Sequence, residues 1–398
     1  MKIVIKVSEG MTALGVPEER KARIPEKYRR YLNVRIGEYL HLEAKNGSAV
    51  SLLIRPAFFV DASEDENMVY LSQNTFDALD VAETITEIEV VEGITLGCDP
   101  ECLILDSNNK VVSACDHGIG SKVTDVGHDG LLLEFRPAPS VSEEEVVYNL
   151  YNLVIKARHL INYSSTIPNP NDVRLVAKSY HDKVSVGFHL HFGIPSALID
   201  RRLPTSYAAN QIVKALDYYL AIPSLLIEGD DFMRRTAIHI PYGKPGEYRL
   251  EYPTLEYRVL GGHIMRHPVL ALGALAIGSM VVEDVVSRIK ICTNNFTDYS
   301  KIGSHEDLKA LYPNIPADPM DVCKALCQKT PDMAHRYMDN ILKDYEFMLT
   351  HYKHAHNMIM FINYALSKRP LSDDIEITWR TYYEQKQQGQ MEVYQASN

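Results

Sequence analysis

Apolar and polar side chains alternate along several short segments in the middle of the chain, with the two-residue period of β-strands. In the stretch GFHLHFG, one parity is apolar and holds Phe188, Leu190 and Phe192. The other parity holds His189 and His191. Because successive side chains of a strand point to opposite faces, the apolar set should face a core and both imidazoles the other side. Such a histidine pair alone is ordinary on a solvated strand face.

Three other predicted strands each have a polar pair on one face. The pairs are Asp99 and Glu101 in TLGCDPECLIL, Glu134 and Arg136 in GLLLEFRPAP, and Glu256 and Arg258 in TLEYRVL. If all four strands belong to one sheet, these pairs converge with the histidines on one concave face. Carboxylates with an occasional imidazole suit Mg²⁺ or Mn²⁺. The arginines would then bind phosphate or carboxylate groups through bidentate contacts.

The pattern of the first ninety or so residues differs from that of the rest of the chain and predicts short strands separated by turns. KIVIKV and ITEIEVV alternate as strands, and LHLEAKNGSAVSLLI predicts two strands around an Asn46-Gly47 hairpin turn. VYLSQNTFDALDV predicts a strand that leads into a short helix. This order looks like that of double-psi barrel domains. We therefore expect a small β-barrel accessory domain over residues 1–91 and a second domain over residues 92–398.

The second domain combines strands with helices. A capping box from Ser142 to Glu145 opens one predicted helix, and the stretch from Thr205 to Ile227 predicts another. From about residue 267 the pattern becomes mostly helical, with a long amphipathic stretch from Met333 to about Leu366. The fold class expected is α+β, with helices flanking a sheet and a helical C-terminal third.

Composition and charge exclude several classes of protein. The formal net charge of -11 argues against nonspecific nucleic-acid binding as the main activity. The longest uncharged apolar run, Val269 to Val282, is too short to span a bilayer and predicts a buried helix. Six cysteines in a long chain without a signal peptide pattern favour reduced thiols and a cytoplasmic location.

Two glycine-rich connections lie next to the predicted site strands. GIGSKVTDVGHDG contains Lys122, and YGKPGEYR contains Tyr248 and Arg249. Neither segment is a Walker A loop, which needs Gly-Lys-Ser/Thr after the glycines. Arg234 and Arg235 add positive charge just before the second segment. Together these connections favour a phosphorylated ligand, although each is also compatible with a surface turn.

The ordered set of motifs resembles a known family. GCDPE, GxGSK, DGLLLEFRP, HLHFG, RR, YGKPGEYR and LEYR follow one another over residues 97–262. This set is similar to the phage-type COOH–NH2 ligases of the glutamine synthetase and glutamate–cysteine ligase superfamily. The resemblance implies a glutamine synthetase-like curved antiparallel β-sheet. It also implies an ATP-dependent carboxylate–amine ligase that forms an amide or peptide bond through an acyl-phosphate intermediate.

The resemblance also implies roles for individual residues. Two or three Mg²⁺ ions, or Mn²⁺, would be held by Asp99, Glu101, Glu134, His189 and Glu256. Catalytic contacts to phosphate or the acyl-phosphate would come from His191, Arg249 and Arg258, and nucleotide contacts from Arg136, Arg235, Lys122 and Tyr248. Asp99 stands where the superfamily usually has Glu. The implied partners are small-molecule or peptide carboxylates and amines, with a homo-oligomer possible and no membrane or nucleic acid.

Three alternatives remain open from the sequence. His-x-His strands also build the sites of metal-dependent hydrolases, which would need further ligands such as His117, His128, His181 or His263. A guanidino-type phosphotransferase would use a related fold. A non-enzymatic binding module is the third alternative, with the basic stretch from Arg23 to Arg30 as its contact surface.

Overall fold

A computed structural model gives the fold of the chain. It describes most of residues 94–388 and the strands of the N-terminal part. The described residues are 2–7, 21–26, 29, 36, 39–44, 49–56, 68–80, 85–90, 94–193, 205–229, 231–251, 254–295, 314–316, 318–350, 355–367 and 371–388. Part of the basic stretch, residues 27, 28 and 30, and the predicted Asn46-Gly47 turn lie outside these ranges.

Six short strands in the N-terminal part close into a barrel. They are β1 Lys2–Val7, β2 Lys21–Ile24, β3 Tyr39–Glu43, β4 Ala49–Pro56, β5 Val69–Leu71 and β6 Ile85–Val90, and helix α1, Gln73–Leu79, follows β5. Their order around the barrel is β1-β5-β2-β4-β3-β6. The strands predicted from the alternating segments are thus present, and the helix predicted after β5 is present too. The double-psi arrangement stays a prediction.

A seven-stranded antiparallel sheet forms the centre of the rest of the chain. Its strands are β7 Thr95–Leu105, β8 Val126–Asp129, β9 Leu132–Phe135, β10 Arg174–Val176, β13 Phe188–Gly193, β14 Tyr248–Glu251 and β15 Thr254–Tyr257. The order is β14-β15-β13-β7-β9-β8, and β10 pairs with the C-terminal end of β7. A separate hairpin consists of β11 Tyr180–His181 and β12 Val184–Ser185. Together with the helices, these sheets make the fold a mixed α+β fold, as predicted.

Helices cover the apolar side of this sheet and form the C-terminal third. They are α2 Glu143–Tyr163, α3 Thr205–Leu216, α4 Ile222–Glu228, α5 Met233–Thr236, α6 Pro268–Asn295, α7 Pro319–Leu326, α8 Asp332–Leu349, α9 Ala355–Ser367 and α10 Ile375–Gln387. Ser142 caps α2, accepting a hydrogen bond from the Glu145 amide as the capping box predicts. A π-helical turn, Asp217–Ala221, joins α3 to α4 within the stretch predicted as a single helix.

The core lies between the apolar face of the sheet and these helices. Phe188, Leu190 and Phe192 of β13 are fully buried, as the alternation of GFHLHFG predicts. Helix α6 packs on this face so closely that a β-carbon at Gly278 would lie 2.7 Å from the ring of Phe192. Burial of three large apolar side chains on one short strand fixes which face of β13 is left for the histidines.

Helix α6 is apolar on all sides over residues 268–282, before Glu283 and Asp284. Among the described residues, Pro268–Ile289 is the one helical stretch long and apolar enough to cross a membrane, and 94% of its most apolar window is buried inside the protein. A helix that is apolar on every side is typical of the centre of a large core. The stretch predicted as a buried helix is therefore the central core helix of this fold.

The described apolar side chains form separate clusters for the barrel and for the sheet with its helices. Ile5, Leu42 and Phe76 belong to the barrel cluster, which does not merge with the larger one. A polar contact links the two parts, since Thr95 Oγ1 at the start of β7 lies 3.0 Å from Nε2 of the buried His41. Two separate cores are consistent with the predicted division at residues 91 and 92, which stays a prediction.

Tight packing of α6 against α9 gives a test of this core. A β-carbon at Gly273 would lie 2.2 Å from Cβ of Phe361, so Gly273→Ala forces the two helices apart. We expect a loss of about 1–3 kcal/mol in the free energy of unfolding, because overpacking outweighs the gain in helix propensity. Urea denaturation measures it. Gly97→Ala is the control, since its β-carbon would meet nothing closer than 3.5 Å; equal stability of the two variants would contradict this packing.

Candidate functional site

Strand pairing aligns polar side chains across the sheet. On β13, His189 stands opposite Asp99 of β7, and His191 stands opposite Glu256 of β15. On the edge strand β14, Arg249 stands opposite the same Glu256. Residues paired directly across an antiparallel ladder share a face of the sheet. These five side chains therefore lie together on the side opposite the helices.

The carboxylate of Asp99 is the centre of a compact group. Its Oδ1 lies 2.8 Å from Nε2 of His191 and 3.4 Å from Nδ1 of His189. Nδ1 of His189 is also 3.6 Å from Oε1 of Glu256. Asp99, His191 and Glu256 each offer one ligand atom, and these atoms lie within 4.8 Å of one another. We call Asp99, His189, His191 and Glu256 the carboxylate–imidazole cluster.

Close approach of opposite charges shifts the pKa values within this cluster. Burial by itself would raise the pKa of Asp99, but the two imidazoles beside it hold that pKa well below its usual value. Burial would likewise lower the pKa of His191, yet the neighbouring Asp99 and Glu256 carboxylates raise it. Asp99 is therefore ionised at neutral pH, which is the state that a cation site requires.

Glu101 and Glu134 form a second acidic pair on the same face. They stand opposite each other on β7 and β9. Glu101 Oε2 accepts a hydrogen bond from the Gly187 amide at 2.6 Å, and burial raises the pKa of its carboxyl group. Glu134 is ion-paired with Arg136. The predicted acidic residues are thus brought together on neighbouring strands, although Glu134 already has a cationic partner.

Two predicted arginines bracket Glu256. Arg249 donates to Glu256 Oε2, and Nε of Arg258 lies 3.1 Å from Glu256 Oε1. Arg258 also approaches Glu247, at 3.6 Å, and its guanidinium lies 5.3 Å from the ring centre of Tyr242. Both arginines lie on the same face of the sheet as the cluster. The sheet therefore places carboxylates and guanidinium groups side by side.

A pocket of about 220 Å³ opens beside the cluster. Small side chains at the start of β7 and the end of β13 leave this space, and the segment that follows β9 forms its opposite wall. Its lining residues include Thr95, Gly97, Asp99, Arg136, Pro139 and His191. Arg136 is held by its donation to the Thr124 carbonyl at 2.9 Å. The structure thus brings Arg136 to the edge of the cluster, and its contact with a nucleotide stays a prediction.

Of the two consecutive arginines, the structure brings Arg234 to the site and not Arg235, which the sequence assigned to the nucleotide. Arg234 is fully buried, donates to Ser185 Oγ at 2.6 Å and lies 3.5 Å from Nε2 of His189. Arg235 instead pairs with Glu228 at 2.7 Å and donates to carbonyls at the end of α7. Consecutive side chains on a helix point about 100° apart, so only one of the pair can face the sheet.

Two other predicted nucleotide contacts lie away from the cluster. Tyr248 stands opposite Tyr257, whose ring is buried in the core, so Tyr248 is on the helix side of the sheet. Its hydroxyl donates to Asn210 at 3.0 Å. The parity of β14 explains this, since neighbours on a strand alternate faces and Arg249 takes the site side. Lys122 is exposed and contacts no cluster residue within the part of the chain that the structure describes.

The donor set of the cluster fits a divalent cation. Asp99 Oδ1 and His191 Nε2 are buried, and neither makes a hydrogen bond of good geometry with the described residues, although they lie 2.8 Å apart. Buried polar atoms in a protein normally have a partner. Two carboxylates and an imidazole are ligands that Mg²⁺ and Mn²⁺ accept. A bound cation would satisfy both atoms at once.

Manganese binding tests the cation site directly. We expect Asp99→Asn to weaken Mn²⁺ binding by at least about tenfold, since it removes a charged ligand from the cluster. Electron paramagnetic resonance of free Mn²⁺ gives the affinity. Asp125→Asn is the matched control, because Asp125 is paired with Lys156 at 2.7 Å outside the cluster. Equal Mn²⁺ affinity of both variants and the wild type would show that the cation, if bound, lies elsewhere.

The family of the chain follows from its sequence. Residues 96–347, more than half of the chain, match the family described as phage phiEco32-like COOH.NH2 ligase-type 2. The match includes every strand of the central sheet and the whole carboxylate–imidazole cluster. The chain therefore belongs to this family of carboxylate–amine ligases, as the order of its motifs predicts.

Solved structures offer distant likenesses. A bifunctional glutathione synthetase from Pasteurella multocida is 11% identical, with a TM-score of 0.32, and the match covers 69% of this chain and about half, 52%, of that chain. The ligase PafA in complex with the ubiquitin-like protein Pup is 10% identical, with a TM-score of 0.36 and coverages of 76% and 70%. A glutamate–cysteine ligase from Francisella tularensis in complex with AMP is 11% identical, with a TM-score of 0.32 and coverages of 75% and 99%. No curated protein matches the chain.

Proposed function

We propose that this chain is an ATP-dependent carboxylate–amine ligase that uses Mg²⁺ and forms an amide or peptide bond through an acyl-phosphate. Membership of the ligase family gives the reaction class. The observation that supports the finer assignment is the meeting of Asp99, His191 and Glu256, with Arg249 and Arg258 on the same carboxylate. Cation ligands and phosphate-binding groups at one place are what phosphoryl transfer from ATP needs.

The proposed cation ligands fall into two groups. Asp99, Glu256 and His191 have converging ligand atoms, and His189 reaches both carboxylates within 3.6 Å. We assign these four to the cation that meets the ATP phosphates. We assign Glu101 and Glu134 to a second cation, next to the acid substrate. A divalent cation at such a site neutralises phosphate charge and orients the phosphates.

The reaction has two balanced steps. An oxygen of the substrate carboxylate attacks the γ-phosphorus of ATP, the bond to the β-phosphate oxygen breaks, and ADP leaves. The amine nitrogen then attacks the acyl carbon, a C–N bond forms, and the C–O bond to phosphate breaks as the amine loses a proton. A free carboxylate is a poor electrophile, and phosphorylation gives it a good leaving group. The guanidinium groups of Arg249 and Arg258 would stabilise the charge on the transferring group.

The pocket beside the cluster is the proposed entry for ATP. Arg136 lines it together with Asp99 and His191, so an anion in the pocket would meet a guanidinium and the cation ligands at once. The acid and the amine are proposed to be small molecules or peptides, and the enzyme to act in the cytoplasm. The barrel of residues 1–91 is proposed to be an accessory domain.

Contacts of the other histidines speak against the metal-hydrolase alternative. That alternative needs further ligands, but His117 contacts Thr166, His181 contacts the Asn109 carbonyl, and His263 contacts Ser179. The buried Nδ1 of His128 has no hydrogen-bond partner among the described residues, but His128 does not belong to the group of converging ligands. Within the described residues, the one group of three or more converging His, Cys, Asp or Glu ligands is Asp99, His191 and Glu256. A site with two carboxylates beside arginines suits ATP phosphates better than water activation.

Calorimetric titration of ATP into the full chain tests the proposed function. We expect ATP to bind only when Mg²⁺ is present, since the carboxylates would otherwise repel the phosphates. Glu256→Ala should weaken Mg-ATP binding by at least about tenfold, because it removes a cation ligand and releases two arginines.

Asp125→Asn serves as the control, because Asp125 is also a carboxylate but pairs with Lys156 and does not belong to the cluster. It should bind Mg-ATP as the wild type does. A wild-type protein that binds no ATP with Mg²⁺ would overturn the ligase proposal and bring the metal-hydrolase alternative forward.

A further inference from the structure

Asp217 lies beneath the site, on the helix side of the sheet, and no sequence motif assigns it a role. It opens the π-helical turn between α3 and α4 and is buried. Its Oδ1 accepts a hydrogen bond from the Tyr257 hydroxyl and its Oδ2 one from the Gly246 amide, both at 2.7 Å. Among the described residues no basic side chain pairs with it, and burial raises the pKa of Asp217 to about 7. π-turns inside helices occur frequently at functional sites.

The two partners of Asp217 belong to segments that hold site residues. Tyr257 lies on β15 between Glu256 and Arg258. Gly246 lies in the loop 242–247, and its φ of +78° is a conformation that glycine adopts readily. One buried carboxylate thus joins the strand that bears two proposed site residues to the loop beside it.

The loop 242–247 in turn brackets Arg258. Glu247 accepts the Arg258 amide with its carbonyl at 3.1 Å, and its carboxylate lies 3.6 Å from the guanidinium. The ring of Tyr242 covers the guanidinium at 5.3 Å from its centre. The same Glu247 carboxylate accepts a hydrogen bond from the Lys244 amide at 3.2 Å. Movement of this loop would therefore change two of the three groups that orient Arg258, the third being Glu256.

The loop has a second attachment on its other side. Lys244 Nζ donates to the carbonyls of Arg235 and Ala237 at 3.0 and 2.8 Å. The Glu247 carbonyl bonds the loop to the residue after β15, and Asp217 adds a side-chain attachment that binds the loop and β15 with one carboxylate. Loss of Asp217 would leave the buried Tyr257 hydroxyl without its acceptor and would release the Gly246 amide of the exposed loop.

We propose that Asp217 is a positioning residue for the ligase site, fixing the loop 242–247 against β15 so that Arg258 points at the transferring phosphate. The phosphate part of this inference rests on the proposed function, whereas the anchoring of the loop does not. Asp217 touches no reacting atom, and it acts through Gly246, Glu247 and Arg258.

The test compares Asp217→Ala with the conservative Asp217→Asn. An asparagine carbonyl can accept from the Gly246 amide while its amide group donates to the Tyr257 oxygen, so both contacts survive. We expect Asp217→Ala to speed hydrogen exchange at the Gly246 amide by about tenfold or more and Asp217→Asn to restore protection. Calorimetry should show Mg-ATP affinity reduced about tenfold in Asp217→Ala, with Mg-ADP affinity within about twofold, since ADP lacks the γ-phosphate that Arg258 is proposed to contact.

Several outcomes would overturn the inference. Equal losses of ATP and ADP affinity would mean a merely structural role, and unchanged exchange at Gly246 would mean that Asp217 does not anchor the loop. If Asp217→Ala fails to fold, hydrogen exchange in the wild type still tests the inference. A Gly246 amide that exchanges as fast as an unstructured amide would show that Asp217 does not anchor the loop. A wild type that binds no Mg-ATP but protects Gly246 would refute the proposed function while leaving the anchor in place.

Discussion

The pairing register of β13 with its two neighbours is the constraint on which the site depends. That register sets His189 opposite Asp99 and His191 opposite Glu256. Since side chains alternate, a slip of one residue would send both imidazoles into the core and three large apolar side chains to the solvent. Burial of Phe188, Leu190 and Phe192 against the helices therefore selects the register, and the register in turn builds the cluster. In this fold the packing of the core therefore determines the geometry of the site.

Many charged side chains share one half-buried face of the sheet, and pairing between opposite charges offsets the free-energy cost of burying them. Burial lowers the pKa of Arg234, and the nearby Glu101 carboxylate offsets part of this effect. Glu256 is buried between Arg249 and Arg258. Removing one partner of a buried pair leaves an uncompensated charge, which costs more than the pair contributes. The face is consequently a coupled unit, and single substitutions in it are expected to affect several contacts at once.

Local alternation predicted much of this arrangement from the sequence. The parity of GFHLHFG, GCDPE, LLLEF and LEYR predicts which side chains share a face, because the period of a strand is a local property. The choice between Arg234 and Arg235 depends on how a single helical turn, α5, is rotated relative to the sheet. Tyr248 was placed in a glycine-rich loop, whereas it begins β14 and its parity points it to the core. Asp217 contacts Tyr257, which lies 40 positions further along the chain, and no local pattern indicates such a contact.

Trapping of an activated acid with hydroxylamine tests directly whether the chain forms an acyl-phosphate. The full chain would be incubated with Mg-ATP, hydroxylamine as a general amine, and a panel of free amino acids and acidic peptides. An acyl-phosphate formed on any acid reacts with hydroxylamine to give a hydroxamate, whatever the natural amine is. We expect ADP release to depend on one class of acid, and hydroxamate to appear in the same amount as ADP. ADP released at the same rate with and without acids, and without hydroxamate, would contradict this expectation.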